Sequence, residues 1–317
     1  MIVVAGEALM DVYEAGPTPT GSMLDARMGG SPFNVAIGLA RLGTPAAFYG
    51  GVSTGVLGDR LAAALNAEGV DLGAAVRLDA PTTLALVGLR PNGVPDYAFY
   101  GHGAADRSLG LDTLDRVPAA AAYHFGSYSM VVEPTASTLL ALAERESGRA
   151  VISWDPNVRP TVEPDREVWR RLFARMVGLC HLIKVSDEDL AHLFPGADPA
   201  ALAADWLASG VGLVVVTRGG EGVSAFAAAG RVDRPARRVA VVDTVGAGDT
   251  FQAALLTALA EGDHLSIDGL GRIGSDALAR ILDFAGTAAA ITCTRRGADL
   301  PRRAELDRAG DMQKSGL

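Results

Sequence analysis

The sequence predicts a doubly wound α/β protein with three layers: helices cover both faces of a mainly parallel central sheet, and a small antiparallel β lid is attached. From residue 120 onward, apolar strand segments alternate regularly with helical segments, which is typical of parallel sheets. Two strand segments between residues 82 and 100 break this alternation around an Asn-Gly turn signal. Polar residues also gather where predicted strands end. We expect a single domain over residues 1–317, with the lid inserted from about 12–28 and 82–101.

The first segment supplies a buried strand and the first candidate ligand-binding residues. Residues 2–6 form the strand, and Asp11 is expected at its polar end, where open parallel sheets bind ligands. The run from Gly29 and Gly30 through Ser31 to Asn34 then opens a helix. The two glycines allow close approach by a ligand, and Asn34 offers a donor and an acceptor. A plain helix start with a polar first turn explains these residues equally well.

The predicted lid combines residues 12–28 with the segments 82–90 and 96–100. Such a small sheet needs one face covered. We therefore expect it to close over a site, to form a dimer contact, or both.

The remaining βα alternation places polar residues at several strand ends. Strand 150–154 stops at Asp155, strand 181–185 contains Lys184, and strand 211–217 stops at Thr217. Helices are predicted at 133–147, 165–177 and 198–209, and residues from about 308 to 317 as a loose tail. Because the carboxyl ends of parallel strands meet at one edge, a binding site is predicted there.

The stretch from Val241 to Phe251 carries the strongest single signal. An apolar β-branched run leads into a Gly-x-Gly turn, which opens a helix that ends at Gly262. The N–H groups at a helix N-terminus suit a phosphate or an oxyanion. Asp249 adds a carboxylate, which suits a base acting while charge builds on a transferring phosphoryl group. Taken alone, the motif is more typical of an ordinary N-cap turn; the polar residues at the other strand ends favour an active site.

Composition narrows the class of protein. A net charge of −9 argues against nucleic-acid binding as the main role. No apolar run approaches the length of a membrane span, and the first residues read as a strand, so neither a membrane partner nor a signal peptide is expected. Cys180 and Cys293 have no metal-ligand spacing, and a reduced, cytoplasmic protein is the simplest interpretation.

These motifs resemble the ribokinase-like (PfkB-type) family of carbohydrate kinases over most of the chain. Residues 243–251 are similar to the family's C-terminal signature, residues 29–36 to its sugar-side signature, and residues 292–298 to the stretch that closes its nucleotide site. Shorter similarities around Phe99-Tyr100 and in the run from Asp155 to Pro160 indicate bacterial fructokinases. Kinases of 2-keto-3-deoxygluconate share several of them.

The resemblance implies a ribokinase-like fold, ATP as the phosphoryl donor, and a role for each motif. Asp249 would be the catalytic base, and the turn residues Gly246, Ala247 and Gly248 would hold the transferring phosphoryl group. The implied sugar-binding residues are Asp11, Gly30, Ser31, Asn34 and Arg159, with Phe99 from the lid. The implied nucleotide-binding residues are Lys184, Thr217, Gly219, Gly222, Ala285, Gly286 and Ala289. Asp243 would lie near a monovalent cation site, if this chain keeps K⁺.

The implied magnesium site departs from the family pattern. The family often shows Asn-x-x-Glu after the strand that contains Lys184, whereas this chain has Ser186 and Asp189, with Glu188 between them. Hydrated Mg²⁺ keeps several waters, so Glu188 and Asp189 are both candidates for its water-mediated ligands. Ser186 fits equally well as the N-cap of a helix that begins at Asp187.

The expected reaction is transfer of a phosphoryl group from ATP to a primary hydroxyl of a small sugar, with D-fructose as the expected substrate. The alternative substrate is 2-keto-3-deoxygluconate, and Arg107 and Arg159 would bind its carboxylate. Another sugar, or a phosphorylated sugar, is also open. A non-catalytic sugar-binding regulator is disfavoured by Asp249 and its intact turn. A nicotinamide dehydrogenase is disfavoured because the first strand lacks a GxGxxG turn. A homodimer formed through the lid is also expected.

Overall fold

A computed structural model describes residues 1–89 and 95–314 of the chain. The strands in these residues are β1 (Ile2–Ala5), β2 (Leu9–Thr18), β3 (Gly21–Gly29), β4 (Ala46–Tyr49), β5 (Gly51–Ser53), β6 (Val76–Leu78), β7 (Leu84–Leu89), β8 (Pro95–Tyr100), β9 (Ala122–Gly126), β10 (Val151–Asp155), β11 (Leu182–Ser186), β12 (Leu213–Thr217), β13 (Val223–Ala227) and β14 (Gly230–Arg234). The helices are α1 (Ser31–Arg41), α2 (Val56–Ala67), α3 (Thr135–Glu146), α4 (Arg166–Val177), α5 (Asp187–Leu193), α6 (Pro199–Ala208), α7 (Ala247–Glu261), α8 (Ile267–Gly271), α9 (Ser275–Cys293) and α10 (Arg303–Lys314).

The central sheet has eight strands in the order β14-β13-β12-β11-β10-β9-β1-β4. Strands β9 to β12, β1 and β4 run parallel, and β13 and β14 are added antiparallel at one edge. All four residues of β1 are buried, as expected for a strand covered on both faces. Because the chain leaves β1 toward β4 and later returns beside it as β9, the strand order reverses between β1 and β9. Ligand crevices form at such a reversal.

Helices cover both faces of this sheet. Helices α1, α2, α7 and α9 pack on one face around Phe33, Leu255 and Leu282, whereas α3 to α6 pack on the other around Trp154 and Phe173. The three-layer prediction is therefore confirmed, and the strands and helices predicted from residue 120 onward are present with ends shifted by one or two residues. No described helix combines the length and the apolar character that a membrane span requires.

The lid is a second sheet with the strand order β3-β2-β7-β8. The pairs β2·β3 and β7·β8 are antiparallel, as predicted, but β2 and β7 pair in parallel at the centre. The predicted Asn92-Gly93 turn lies outside the described residues. The parallel pairing arises because the chain passes through the body of the protein between the two antiparallel pairs.

Asp11 was expected at the carboxyl end of the first strand, and this placement is wrong. It is the third residue of β2 and belongs to the lid. Gly6, with φ 148°, ends the first strand after Ala5, and the chain turns into the lid at Leu9. A side chain at Gly6 would also collide with Pro32 of α1. Glycine is therefore favoured at this position both by its backbone conformation and by its close contact with α1.

Two further expectations differ from the structure. Val241 and Val242 lie in a loop and are 62% and 63% exposed, and no strand within residues 1–89 and 95–314 pairs with them. A loose tail was expected from about residue 308, but these residues are helical as far as Lys314, because they belong to α10, which starts at Arg303. Leu306 is buried against the body, and Arg303 pairs with Asp307 one turn on, at 3.1 Å. Burial of this apolar residue and the ion pair stabilise the helix.

Candidate active site

The predicted base lies where the first turns of two helices meet. Asp249 is in the first turn of α7 and is 8% exposed. Its Oδ1 accepts a hydrogen bond from the Ser31 hydroxyl at 2.6 Å, and its Oδ2 accepts one from Asn34 Nδ2 at 2.8 Å. Burial raises the pKa of Asp249, whereas these hydrogen bonds and the charge of Lys184 oppose the rise. The structure therefore brings together residues from opposite ends of the chain.

The turn before Asp249 has the geometry of an anion site. Gly246 caps α7 with φ 76° and ψ 0°, a left-handed conformation that favours glycine. A Cβ at this position would lie 2.5 Å from that of Ala298. The Ala247 amide donates to Thr244 O at 3.2 Å and closes the turn. The Gly248 and Asp249 amides that follow precede the first hydrogen bond of the helix, from the Thr250 amide to Gly246 O at 2.8 Å, and are therefore available to an anion.

Lys184 borders this turn. Its ammonium lies 3.2 Å from where a Cβ of Gly248 would be, and it forms an ion pair with Asp155 Oδ2 at 2.6 Å. Burial is the largest single influence and lowers the pKa of Lys184, but the ion pair and hydrogen bond with Asp155, together with the charges of Asp249 and Asp189, outweigh it, and the net shift is upward. Asp155 Oδ1 is buried without a hydrogen-bond partner in the described part of the chain. The sequence analysis gave Asp155 no role in the site. Its position at the end of a predicted strand, next to the strand that contains Lys184, could have indicated one.

The glycine pair before α1 makes room for the protein's own groups. A Cβ at Gly29 would overlap the Asp11 carboxylate, and one at Gly30 would lie 2.7 Å from Glu7 O. Gly30 also has φ 107°, which disfavours other residues. Burial raises the pKa of Asp11 to about 6, despite the attraction of Arg159 and with a further contribution from Asp249. Asp11 is thus close enough to Arg159 and Asp249 for their charges to interact.

Arg159 lies on the loop that follows β10. Its Nη1 donates to the carbonyl oxygens of Asn157 at 3.3 Å and Val158 at 3.1 Å. Asp189 holds the same loop, since its Oδ1 accepts the Val158 amide at 3.0 Å. The guanidinium is therefore supported by its own loop and is close enough to Asp11 to lower that residue's pKa.

The two predicted magnesium carboxylates lie in different environments. Glu188 is exposed, whereas burial raises the pKa of Asp189, and Asp155 contributes to the rise. Ser186 is the N-cap of α5, because its hydroxyl accepts the Asp189 amide at 3.0 Å. Within residues 1–89 and 95–314, no group of three His, Cys, Asp or Glu side chains is arranged to hold a metal ion.

Lid and body meet through aromatic contacts. Phe99 of β8 packs edge-to-face on Tyr128, with ring centroids 5.8 Å apart. The Arg107 guanidinium lies 5.0 Å from the centroid of the Tyr128 ring, and Tyr128 donates to Asp106 Oδ2 at 2.8 Å. Nε and Nη2 of Arg107 are buried without a hydrogen-bond partner among the described residues.

The predicted nucleotide residues lie on three elements. Thr217 ends β12, and Gly219 and Gly222 follow with positive φ angles of 46° and 102°. On α9, Gly286 and Ala289 are partly exposed. Ala285 was expected beside the base, but it is 0% exposed in the hydrophobic core, so a direct nucleotide contact from this residue is wrong.

Asp243, the residue predicted near a monovalent cation, connects two loops. Its Oδ1 accepts the Val245 amide at 3.1 Å, and its Oδ2 accepts the Gly297 amide at 2.8 Å. The contact between Gly246 and Ala298 lies next to these bonds. The carboxylate therefore fastens the loop before α7 to the loop after α9.

Residues 1–304 match the model of the pfkB family carbohydrate kinases. The chain belongs to the pfkB family of carbohydrate kinases. This carbohydrate kinase is 41% identical over 260 residues to a fructokinase of Rhizobium leguminosarum bv. trifolii, covering 82% of this chain and 79% of that protein. It is 36% identical over 321 residues to probable fructokinase-4 of Arabidopsis thaliana, covering 96% and 95%.

A solved structure supports the same conclusion. The fructokinase of Xylella fastidiosa with bound ATP superposes with a TM-score of 0.88 at 28% identity, covering 100% of this kinase and 99% of that chain. The predicted family, the ribokinase-like fold and the class of enzyme, a sugar phosphotransferase, are confirmed.

Proposed function

We propose that this carbohydrate kinase transfers the γ-phosphoryl group of ATP to a primary hydroxyl of D-fructose. The observation that carries the proposal is the position of Asp249, buried in the first turn of α7 between Lys184 and the first turn of α1. The relatives named as fructokinases, at 41% and 36% identity, support fructose as the acceptor. The ATP-bound neighbour supports the donor.

Asp249 acts as the general base. The O–H bond of the sugar breaks, its proton moves to the Asp249 carboxylate, and the oxygen forms a bond to the γ-phosphorus. The bond between that phosphorus and the bridging oxygen breaks, and ADP leaves with the electron pair. A positioned base contributes roughly 10²–10⁴ in rate. The amides of the first turn of α7 and the Lys184 ammonium stabilise the negative charge of the phosphoryl group.

Asp11, Gly30, Asn34 and Arg159 would hold the sugar hydroxyls, with Phe99 closing the site from the lid. Thr217, Gly219, Gly222, Gly286 and Ala289 would border the nucleotide. The ionised Asp11 carboxylate accepts hydroxyl hydrogen bonds, and Arg159 keeps it ionised by its charge. The acceptor hydroxyl then faces Asp249 across a short space.

Mg²⁺ fits the carboxylates of Asp155 and Asp189, whose charges act on Lys184. When bound with ATP, it supplies positive charge to the phosphate oxygens. Asp189 is the better placed of the two predicted residues, because it is close enough to Asp155 for their charges to interact, whereas Glu188 faces solvent. Water-mediated contact suits an ion that keeps most of its hydration shell.

K⁺, if used, would bind to backbone carbonyls of the two loops that Asp243 fastens. Each oxygen of that carboxylate accepts one amide hydrogen bond, and through these two bonds Asp243 would shape the loops that supply the carbonyls. Replacing K⁺ with a large organic cation in the assay tests this part of the proposal: activity should fall, and unchanged activity would remove K⁺ from it.

A second acceptor is favoured by a specific observation. Nε and Nη2 of Arg107, which lack a hydrogen-bond partner among the described residues, fit the carboxylate of 2-keto-3-deoxygluconate, provided that Arg107 turns away from Tyr128 and from Asp106, whose Oδ2 lies 3.9 Å from Nε. Because this movement would break a packed contact, fructose is the preferred assignment.

We also infer that residues 1–317 act as one kinase unit in the cytoplasm and that two copies associate through their lids. Met23 and Leu24 of β3 are each 55% exposed, and Tyr100 of β8 is 63% exposed. Exposed apolar residues on both edge strands of a small sheet favour a protein contact. A solution mass of two chains at micromolar concentration is expected, and Leu24→Glu should convert it to one; a wild-type monomer would contradict the dimer.

A coupled ADP-release screen over fructose, ribose, 2-keto-3-deoxygluconate, fructose 6-phosphate and adenosine tests the proposed function. Fructose should give the highest kcat/KM, and Asp249→Asn should abolish most of the signal. A higher kcat/KM with 2-keto-3-deoxygluconate would transfer the assignment to that acid. Absence of sugar-dependent ADP release with all five compounds would overturn the proposal.

A further inference from the structure

Two residues of one helical turn hold the base of the proposed reaction. Ser31 and Asn34 are three positions apart in the first turn of α1, so their side chains share a face. Each donates to a different oxygen of Asp249, at 2.6 Å and 2.8 Å. All three residues are at most 8% exposed. The carboxylate is therefore held from one side by α1.

Ser31 is itself held from behind. Its backbone amide donates to Glu7 Oε1 at 3.3 Å, and Glu7 is 1% exposed. The Ser129 hydroxyl donates to the other oxygen of Glu7. Gly30, with its φ of 107°, brings the chain into α1 in contact with Glu7 O. The position of Ser31 is thus set by Glu7 and Ser129, which follow β1 and β9, and by the entry of the chain into α1.

The hydroxyl proton of Ser31 is already used. A serine hydroxyl has one proton to donate, and here it is directed to Asp249. Ser31 can therefore offer a sugar only an acceptor lone pair. A carboxylate has about four lone-pair positions, so Asp249 still has room for the proton of an acceptor hydroxyl after Ser31 and Asn34 have bonded to it.

We propose that Ser31 is a positioning residue for Asp249, which orients the carboxylate for proton transfer, in place of the sugar contact expected from the sequence. This inference rests on the proposed function of Asp249 as the base. A hydrogen bond donated to a carboxylate favours its ionised form. Ser31 thus keeps the base ready to accept a proton at lower pH than burial alone would allow.

The test is the pH profile of Ser31→Ala. We expect the acid limb of kcat to move to higher pH by about one unit, since a hydrogen bond to a charged group is lost. At neutral pH kcat should fall about tenfold, while KM for the sugar changes by less than about twofold. Ser31→Thr, which keeps the hydroxyl, should restore the wild-type limb.

Ser224→Ala is the matched control, because Ser224 is also a buried serine that donates to an aspartate, Asp233, on a different part of the sheet. Its acid limb should stay that of wild type. If Ser31→Ala lowers Tm more than this control does, Ser31→Thr and Ser31→Cys are compared instead. The thiol of Ser31→Cys is a weak donor, so the acid limb of kcat should move part of the way to higher pH.

An unchanged acid limb in an active Ser31→Ala enzyme would overturn the inference, and an accompanying large rise in sugar KM would show that Ser31 binds the sugar. This outcome is distinct from failure of the proposed function, in which the wild-type protein itself shows no sugar-dependent ADP release.

Discussion

The ammonium of Lys184 lies 2.6 Å from Asp155 Oδ2, and both side chains are buried, Asp155 at the end of β10 and Lys184 in the middle of the neighbouring parallel strand β11. This ion pair stands beside the turn that precedes Asp249, next to Gly248. Asp155 thereby keeps a positive charge in place where the phosphoryl group would gain negative charge. A buried charge without its partner is costly, so the two residues are expected to act as a unit.

Lys184→Met should lower kcat by about 10²–10³, because one stabilising charge is removed from the phosphoryl group. ADP release measures this effect, and the sugar KM should change little. Asp155→Asn should lower the free energy of unfolding by about 3–5 kcal/mol, since Lys184 is left buried without its counter-charge. In the double variant the loss should be smaller than in Asp155→Asn alone. Simple additivity in denaturant titrations would show that the pair is not coupled.

Asp249→Asn should lower kcat by about 10²–10⁴, because an amide cannot take the proton of the acceptor hydroxyl. The sugar affinity, measured by calorimetry, should stay close to that of wild type. Asp233→Asn, at an aspartate on the antiparallel edge of the sheet, is the control and should keep wild-type kcat. Near wild-type turnover in Asp249→Asn would remove this residue from the mechanism.

Arg159→Lys should raise the sugar KM, because an ammonium cannot reproduce the planar fork of the guanidinium. Steady-state kinetics with fructose measure this. The two backbone bonds that Arg159 makes to its own loop give the competing interpretation. A fall in Tm with an unchanged KM would assign Arg159 to support of the loop.

Sugar binding should weaken as the pH falls below about 6. Burial raises the pKa of Asp11 to this value. The ionised carboxylate accepts two or more hydroxyl hydrogen bonds, and protonation removes part of this capacity. The sugar KM measured between pH 5 and pH 8 should therefore rise on the acid side. Asp11→Asn should have a higher KM that no longer depends on pH in this range; a KM that still rises in this variant would exclude Asp11 as the titrating group.

Glu7→Gln should stabilise the protein at high pH. Burial raises the pKa of Glu7 from 4.5 to about 7, although hydrogen bonds from Ser129 and Ser127 oppose the rise. The folded state therefore binds the proton more tightly than the unfolded state. The stability that protonated Glu7 contributes to the folded state is fully present below pH 4.5 and is lost as the pH rises through about 7.

The variant should consequently gain about 1–3 kcal/mol over wild type at pH 8, with the gain disappearing near pH 5. Tm measured across this range checks the sign. A gain that is the same at both pH values would mean that Glu7 does not titrate between them.

Much of the fold could be predicted because local patterns encode it. The apolar runs of β9 to β12 alternate with amphipathic helices, and such alternation produces parallel sheets. The end of β1 was missed because Gly6 acts through its backbone conformation and its contact with Pro32. Ala285 was misplaced because the side of α9 that faces the core depends on how that helix packs against α7, which a motif does not specify.

The sequence by itself determined the three-layer architecture, the Gly-x-Gly-Asp turn at a helix N-terminus and the family. Only the tertiary structure decided which polar groups meet. Ser31 and Asp249 are separated by 218 positions, and Lys184 and Asp155 by 29, yet each pair is within hydrogen-bonding distance. The physical reason is that periodicity records which face of an element is buried. Contacts between distant polar side chains depend on strand order and on the packing of α1 against α7.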